Sequence, residues 1–354
     1  MIRVALLPGD GIGAEVMRGP AELLEATRNQ VPIEVTGVWP VGSTGYIESG
    51  ELLPRRTLAA CEGADAILLG AVGDHPGVDL GAQRSEAALL DLRAHFDLRI
   101  SIRQVWRESG QPLTFVRNLL GGAYGPRETH MESDGVSPAS DLIALEPSRI
   151  EEVANIACDF AAGHPGTVII SADKANLWAT GRLWRRIAGD VATRRGVPIL
   201  HRLIDRCAFE LAQRDLPAAV IMTEGIFGDI LSDLAAGRAG SIALCSSASV
   251  HPGAPACGRC VGIFEPVHGT APHLVGTHRA NPIGAYLALA ALAEWFQETV
   301  VFARAVRLAV DSALHNGPWT RDFAAAPGEE ATTEAVAARI NRQCLQILET
   351  SVIE

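Results

Sequence analysis

The chain has 354 residues, a length that suits two domains, and its 48% hydrophobic and 20% charged residues are typical of a globular protein. Its net charge of −11 disfavours electrostatic binding to nucleic acid or to an anionic membrane. Its seven cysteines, an odd number, favour reduced thiols in a reducing compartment over a set of disulfides.

An apolar stretch near the start predicts a first strand at residues 3–7. The letters PGDG at 8–11 interrupt it too early for the core of a signal peptide, so we expect a cytoplasmic protein. The glycines that follow are spaced GxGxG, whereas the dinucleotide-binding fingerprint is GxGxxG, and no acidic residue ends a second strand about 20 residues later. The pattern therefore predicts a glycine turn between strand and helix and disfavours a Rossmann fold.

Short apolar runs alternate with longer stretches of helical spacing along the rest of the chain. Further strands are predicted at 33–38, 66–69, 113–116, 168–171, 199–204 and 218–222, and helices at 15–27, 149–162 and 182–194. This alternation predicts an α/β architecture with buried strands.

Three arginines, a tyrosine and a lysine are candidates for chemistry in the first half of the chain. A planar guanidinium binds a carboxylate with two hydrogen bonds, so Arg93, Arg103 and Arg117, if they converge, could hold a small polycarboxylate. Each taken singly is more often a surface residue. Tyr124 follows three small residues. Lys174 directly follows a predicted strand, where it can serve as a general base or simply extend its ammonium group into solvent.

Two aspartates stand four residues apart in the second half of the chain. A helix there would place Asp229 and Asp233 on one face, where they repel each other and where a divalent cation would remove the repulsion. Magnesium or manganese prefers such hard oxygen ligands, and Asp205 is the candidate for a third. The alternative is a solvated acidic helix face.

Two segments near the C-terminal third have simpler interpretations. Cys257 and Cys260 have the spacing CxxC, but no second pair accompanies them, so two ordinary loop thiols are favoured over a zinc or redox site. Residues 283–296 are strongly apolar but too short to span a membrane, and they predict a buried helix with Asn281 as its cap and Pro282 in its first turn.

Five motifs in order along the chain resemble those of the β-decarboxylating dehydrogenases, a family that includes isopropylmalate, isocitrate, homoisocitrate and tartrate dehydrogenases. They are LPGDGIG at 7–13, ADKAN at 172–176, IFGDILSD at 226–233, EPVHGTAP at 265–272 and ANP at 280–282. The resemblance implies a two-lobed α/β fold rather than a Rossmann fold. It places the first lobe at 1–99 with 242–354 and the second at 100–241, in a homodimer whose active sites are shared between subunits.

The resemblance also implies roles for individual residues. The metal ligands, for Mg²⁺ or Mn²⁺, are expected to be Asp229, Asp233 and Asp205, the last of these supplied with Lys174 by the neighbouring subunit. The substrate carboxylates are expected to bind Arg93, Arg103 and Arg117, with Lys174 as the base and Tyr124 as the acid that protonates the enol. The residues expected near the cofactor are Glu86, Glu265, His268, Gly269, Thr270, Ala271 and Asn281.

The stretch 84–93 resembles the isopropylmalate pattern, in which Leu89 and Leu90 would face an apolar substituent on C3 of a malate. An isocitrate-type enzyme would instead have serine at 87 and asparagine at 89. Departures from the pattern, such as Asn118 where glutamate is common, leave the substituent open.

A tartrate, D-malate, isocitrate or homoisocitrate dehydrogenase, or a specialised paralogue from a secondary pathway, is the alternative. A regulatory subunit without activity is disfavoured because Tyr124, Lys174 and the three aspartates are all present.

The choice between NAD and NADP is open on the sequence. Relatives that use NAD carry aspartate at the position of His273, where it binds the ribose and repels a 2′-phosphate. His273, with Arg214, predicts that NADP is accepted, because a protonated imidazole and a guanidinium attract that phosphate. The alternative is that both are unrelated surface residues.

Overall fold

The computed structural model describes residues 1–74, 77–80, 84–107, 112–124, 142–164, 166–213, 216, 219–253, 260–322 and 330–351. The chain divides into two compact units. The first comprises Met1–Asp97, Ala239–Ala248 and Gly253–Glu354, and the second comprises Leu98–Arg238 and Ser249–Pro252. No helix in the described ranges is long and apolar enough to cross a membrane.

The first unit is built on a sheet with the strand order β2-β1-β3-β10-β9. Its strands are β1 (Ile2–Gly9), β2 (Ile33–Val38), β3 (Ala66–Ala71), β9 (Cys245–Val250) and β10 (Gly262–Pro266). Strand β1 pairs in parallel with β2 and β3, and β3 with β10. The boundary between the two units falls within β9.

Helices α1 (Gly13–Thr27), α2 (Ser43–Ser49), α3 (Arg55–Glu62) and α4 (Ala87–His95) belong to the same unit, as do the later α9 (Ile283–Glu294), α10 (Val300–Asn316) and α11 (Thr333–Ser351). Helix α9 is buried on all sides and packs against α1, α10, β3 and β10. Pro282 occupies the N-cap position, one residue before the first turn in which it was predicted, and Asn281 accepts a hydrogen bond through its side-chain oxygen from the Ile283 amide at 3.0 Å, so it still satisfies an amide at the start of the helix.

The second unit has the strand order β4-β5-β8-β6-β7. Its strands are β4 (Ile100–Val105), β5 (Leu113–Asn118), β6 (Val168–Asp173), β7 (Ile199–Leu203) and β8 (Ala219–Thr223), and its helices are α5 (Pro147–Ala162), α6 (Ala179–Arg195), α7 (Ile204–Gln213) and α8 (Gly225–Ala239). Strand β4 is antiparallel to β5, and the other pairings, β5 with β8, β8 with β6 and β6 with β7, are parallel. The carboxyl ends of β5, β6 and β8 therefore meet at one edge, where Arg117, Lys174 and Glu224 lie.

The predicted α/β architecture is confirmed, and every predicted strand and helix is present with small shifts at its ends. The strand predicted at 199–204 ends at Leu203 because Ile204 already begins α7, and α9 stops at Glu294. Strands β4, β9 and β10 were not predicted. Arginine and glutamine in β4 and four polar or small residues in β9 obscure their apolar pattern, and β10 is bounded by glycine and proline.

The glycine turn predicted after β1 is confirmed. Gly9 and Gly11 have φ of 76° and 57°, in the left-handed region that favours glycine. A Cβ on Gly9 would lie 1.9 Å from the carbonyl oxygen of Ala71, and one on Gly11 would lie 2.2 Å from that of Thr270. The turn therefore packs β1 directly against neighbouring backbone, with no room for side chains.

Candidate active site

One face of α8 carries the two aspartates that the sequence singled out. Arg103, on β4, contacts Asp229 at 2.9 Å and Asp233 at 3.0 Å, while Arg117, near the end of β5, contacts Asp229 at 2.8 Å. Both guanidinium groups are largely buried, with side-chain exposures of 14% and 4%. The sheet and the helix thus hold two cations and two anions in a single cluster.

This cluster suits a divalent cation together with an anionic substrate. The pKa of Asp233 is raised by burial and by the charge of Asp229, although Arg103 opposes the rise. Two hard oxygen donors one helical turn apart match the ligands that Mg²⁺ and Mn²⁺ prefer, and the arginines can bind carboxylates. Among the described residues, however, no group of three or more metal-ligating side chains comes together.

Tyr124 lies next to this cluster. Its hydroxyl is hydrogen-bonded to Arg117, and its pKa is raised by burial and by the nearby Asp229. The phenol remains 42% exposed, so a substrate can reach it. Its ring lies over Gly225, where a Cβ would stand 2.5 Å from the ring carbon Cδ2. A residue with a side chain at 225 would therefore displace the tyrosine.

Lys174 and Asp205 contact each other elsewhere in the second unit. The Lys174 ammonium donates a hydrogen bond to Asp205 at 2.7 Å, and this bond lowers the pKa of the carboxyl. Lys174 follows β6 directly, after Asp173, which is buried and binds Arg185 through two hydrogen bonds of 2.9 and 2.8 Å. This anchored aspartate holds the end of the strand from which the lysine extends.

In the first unit, Arg93 projects from α4 and donates a hydrogen bond to Glu265 at the end of β10, at 2.9 Å. Both side chains are mostly buried, at 16% and 10% exposure. Leu89 is partly buried on the same helix, Leu90 is 57% exposed, and Glu86 precedes its first turn. The exposed position of Leu90 leaves its side chain available to a ligand.

The segment after β10 contains the residues expected near the cofactor. Its residues His268, Gly269, Thr270 and Ala271 follow in succession, and the amide of Ile12 in the glycine turn donates to the Thr270 carbonyl at 3.0 Å. His268 is buried, which lowers its pKa, and its Nε2 atom has no hydrogen-bond partner in the described part of the chain. Buried polar atoms are normally paired, so this nitrogen is suited to a bound ligand.

Asn281 lies in the same unit beside a carboxylate that the sequence did not indicate. Its side-chain amide donates to Asp322 at 3.3 Å, and Ser241 donates to the same carboxylate oxygen at 2.7 Å. Asp322 is 41 positions further along the chain and belongs to no recognised motif, so only the tertiary structure reveals it.

His273, which was predicted to favour NADP, and the basic residues that follow it, His278 and Arg279, differ in their surroundings. His278 is hydrogen-bonded to Glu334 at 2.6 Å, which raises its pKa, and Arg279 pairs with Glu330 at 3.2 Å. His273 is exposed in a short 3-10 helix, Pro272–Leu274. Arg214 and Cys257 lie outside the described residues, while Cys260 is buried.

Two further polar residues, to which the sequence assigns no role, are buried. Glu224 precedes α8, and Asn118 ends β5. Both adjoin recognised motifs, but a polar residue at a strand end is usually exposed, so nothing in the sequence predicts their burial.

The chain matches the family model described as isocitrate/isopropylmalate dehydrogenase over residues 3–340. A 3-isopropylmalate dehydrogenase from Salinibacter ruber is 38% identical, with 95% of this chain and 94% of that protein covered. One from Geobacillus kaustophilus is 36% identical, with 97% of this chain and 95% of that protein covered.

Two solved structures of dehydrogenases are similar to this chain over nearly its whole length. The apo form of a β-decarboxylating dehydrogenase from Thermococcus kodakarensis is similar with a TM-score of 0.81 and 31% identity, covering 100% of this chain and 99% of that one. An isocitrate dehydrogenase from Methylococcus capsulatus is similar with a TM-score of 0.82 and 25% identity, covering 97% and 99%.

Proposed function

Because the chain belongs to the isocitrate/isopropylmalate dehydrogenase family, we propose that it catalyses the oxidative decarboxylation of a 3-alkylmalate, with 3-isopropylmalate as the first candidate. The products are a 2-keto acid, carbon dioxide and a reduced nicotinamide cofactor. The observation that carries this proposal is the ionic cluster of Arg103, Arg117, Asp229 and Asp233 beside Tyr124.

The residues of the chain divide the work as follows. Arg93, Arg103 and Arg117 bind the carboxylates of the hydroxy acid, and Lys174 takes the proton of its C2 hydroxyl while the C2 hydride moves to nicotinamide. The bond between C3 and the β-carboxylate then breaks to release carbon dioxide, and its electron pair forms the C2–C3 double bond of an enolate. Tyr124 delivers a proton to C3 of this enolate, which yields the 2-keto acid.

Asp229 and Asp233, with Asp205 of a second subunit, would hold the divalent cation. When bound, such a cation supplies Lewis-acid polarisation of the C2 oxygen. The same aspartates contact Arg103 and Arg117, so with a cation held by these carboxylates the guanidinium groups would be left to bind the substrate.

The choice of a 3-alkylmalate is supported by α4. Leu89 and Leu90 offer apolar contact to an alkyl group, whereas the extra carboxylate of isocitrate would be unpaired against them at a cost of several kcal/mol. A tartrate, D-malate, isocitrate or homoisocitrate dehydrogenase is the second candidate, because Leu90 is exposed and could leave room for another substituent.

The cofactor proposal keeps both nicotinamide dinucleotides. Glu86, Glu265, His268, Gly269, Thr270, Ala271 and Asn281 would contact it. Exposed His273, for which no carboxylate partner exists among the described residues, supports acceptance of NADP. His278 and Arg279 are already paired with carboxylates, so they would add little to any preference for NADP over NAD.

The proposed working form is a cytoplasmic homodimer in which each site uses Lys174 and Asp205 of the partner. The direct contact of these two side chains within one subunit supports their acting as one unit. The six described cysteines are buried and form no disulfide with one another, which suits a reducing compartment.

A substrate panel tests the function. Purified enzyme with Mg²⁺ or Mn²⁺ is assayed on 3-isopropylmalate, D-malate, tartrate, isocitrate and homoisocitrate, each with NAD and NADP. We expect the highest kcat/KM for 3-isopropylmalate, loss of turnover after chelation and its return with either metal. A higher kcat/KM for isocitrate, or undiminished turnover after removal of metal, would contradict the proposal.

A further inference from the structure

Two buried polar side chains lie at the carboxyl edge of the second sheet without a role in the reaction as described. Glu224 is 7% exposed and Asn118 is 2% exposed. Glu224 immediately precedes Gly225, on which the Tyr124 ring rests, and Asn118 immediately follows Arg117, which binds the tyrosine hydroxyl. Both residues are therefore adjacent in sequence to the groups that hold Tyr124.

Their hydrogen bonding is incomplete. One carboxylate oxygen of Glu224 accepts a hydrogen bond from the Phe227 amide at 3.1 Å and caps α8. The other oxygen is buried and has no partner in the described ranges, and neither do the oxygen and nitrogen of the Asn118 side chain. Because buried polar atoms are nearly always paired with protein or with ordered water, three unpaired atoms in one place indicate a bound molecule.

The unpaired atoms converge beneath the Gly121–Tyr124 segment. A Cβ on Gly122 would lie 3.1 Å from the free oxygen Oε2 of Glu224 and 3.6 Å from Nδ2 of Asn118. Gly122 has a φ of 62°, so the backbone turns sharply at this point. Two residues later the same segment ends in Tyr124.

A small cavity borders Glu224. It has a volume of about 10 Å³, and its lining includes Lys174, Thr180 and Leu145 as well as Glu224. Leu145 also adjoins Gly122, at 3.3 Å from the position of its missing Cβ. The space is close to what a single water molecule requires, and although most of its lining is apolar, the polar residues Lys174, Thr180 and Glu224 border it.

The chemical state of Glu224 favours such a water. Burial raises the pKa of its carboxyl, although the amides at the start of α8 oppose the rise. A carboxyl oxygen accepts a hydrogen bond in either protonation state, and the amide of Asn118 both donates and accepts, so a water molecule between them can bond to both side chains.

The described part of the chain places few other restraints on the Gly121–Tyr124 segment. Gly121, Gly122 and Ala123 have almost no side chains, and the backbone bonds to the segment within that part are those of Gly122 to Ala144, at 2.9 Å, and of Tyr124 to Gly121, at 3.2 Å. Its position therefore depends strongly on what fills the space beneath it.

We propose that Glu224 and Asn118 together hold one ordered water beneath the Gly121–Tyr124 segment, and that they are positioning residues for the proton donor Tyr124. The assignment of Tyr124 as proton donor rests on the proposed function. The water site itself and the restraint on the segment do not.

Amide hydrogen exchange, measured by mass spectrometry without substrate, tests the restraint. Glu224→Leu and Asn118→Leu, which remove the polar groups, should each speed exchange in peptides covering Gly121–Tyr124 by about tenfold, whereas Glu224→Gln, which keeps hydrogen-bonding capacity, should stay within about twofold of wild type. Glu210→Leu is the matched control, because Glu210 is an equally buried glutamate of the same unit, paired with Arg206. Unchanged exchange in folded Glu224→Leu, or equal acceleration by the Glu210 variant, would overturn the proposal.

A second measurement isolates the step that Tyr124 performs. The enzyme should catalyse exchange of the C3 proton of the 2-keto product with deuterated water, followed by NMR. Glu224→Leu should slow this exchange about tenfold or more with less than a twofold change in KM for the hydroxy acid, and Glu224→Gln should restore it. An equal loss in the Gln variant would overturn the hydrogen-bonding role.

The water can also be observed directly. A crystal structure of the wild-type protein at a resolution that shows ordered solvent should contain a water within hydrogen-bonding distance of both side chains, and an empty site would overturn the proposal. This result and the substrate-free exchange hold whatever the substrate. If the wild-type enzyme shows no activity on the substrate panel but the ordered water and the hydrogen-exchange result are both observed, the proposed function is wrong and the water site still holds.

Discussion

At the scale of single residues, Gly225 shows how a missing side chain can position a catalytic group. The Tyr124 ring occupies the space that any Cβ at 225 would need, and the Gly225 carbonyl accepts a hydrogen bond from Arg117 at 3.0 Å. The absence of a side chain at this one glycine therefore allows the Tyr124 ring to lie beside Arg117, which binds its hydroxyl.

Gly225→Ala should displace Tyr124, because a ring carbon would lie 2.5 Å from the new methyl group. We expect kcat to fall at least tenfold, which corresponds to an activation barrier raised by about 1.4 kcal/mol or more. The change in KM should be smaller. Steady-state kinetics gives both values. Gly237→Ala, on the same helix with nothing near its Cβ position, is the matched control and should keep wild-type kcat.

Glu224 makes a contribution to stability that depends on pH. The pKa of Glu224 in the folded protein is raised above the ordinary glutamate value, so folding favours the neutral carboxyl. The stabilisation by this carboxyl is therefore fully present below about pH 4.3, the ordinary value, and is lost as the pH rises through the folded-state pKa. Glu224→Gln cannot ionise. We expect the unfolding free energy of this variant to improve relative to wild type as the pH is raised, as measured by urea denaturation. A constant difference across pH would contradict this expectation.

At the scale of elements, helix α4 uses one face for packing and leaves another face exposed. Ala88 and Leu92 are buried, Arg93 turns to Glu265, and Leu90 remains exposed. Contact with the alkyl substituent of a substrate would cover this exposed leucine.

Leu90→Ser should lower kcat/KM for 3-isopropylmalate by roughly 10- to 200-fold, equivalent to about 1–3 kcal/mol, and should leave unsubstituted malate nearly unchanged because malate never makes the contact. The comparison of the two substrates checks this. Leu308→Ser, at a leucine of similar exposure on α10, should affect neither substrate. An equal loss for both substrates in Leu90→Ser would place Leu90 outside the substrate pocket.

At the scale of the whole molecule, the second unit exposes apolar side chains that a monomer would leave in water. Leu200, Phe209 and Ile230 are 45%, 51% and 61% exposed. They lie on β7, α7 and α8, elements that also carry or adjoin Asp205 and the aspartate pair. This distribution supports the proposed homodimer, in which a partner would cover them.

Mixed dimers test whether sites are shared. Lys174→Ala and Asp229→Asn should each be inactive alone, but equal amounts allowed to exchange subunits should recover about a quarter of wild-type activity, because half the dimers then have one intact site of two. Native mass spectrometry would verify that mixed dimers form. Mixed dimers without activity would show that each subunit builds its site alone.

Sequence reasoning succeeded where the physical cause is local. Strand β3 is a continuous apolar run, as a strand buried on both faces requires, whereas β9 contains three serines and was missed. The family resemblance and the fold class are confirmed by a family match over residues 3–340 and by the solved structures. The roles of individual site residues and the two lobe boundaries remain predictions.

The sequence by itself determined the alternation of strands and helices, the capped helix α9, the glycine turn after β1 and the aspartate pair of α8, because each depends on residues within one or two turns of each other. Only the tertiary structure decided that Arg103 and Arg117 meet that pair, that Asp322 lies beside Asn281, and that Glu224 and Asn118 are buried under the same loop. These contacts join residues up to 130 positions apart, and their existence depends on sheet register and side-chain packing, which no local pattern in the sequence records.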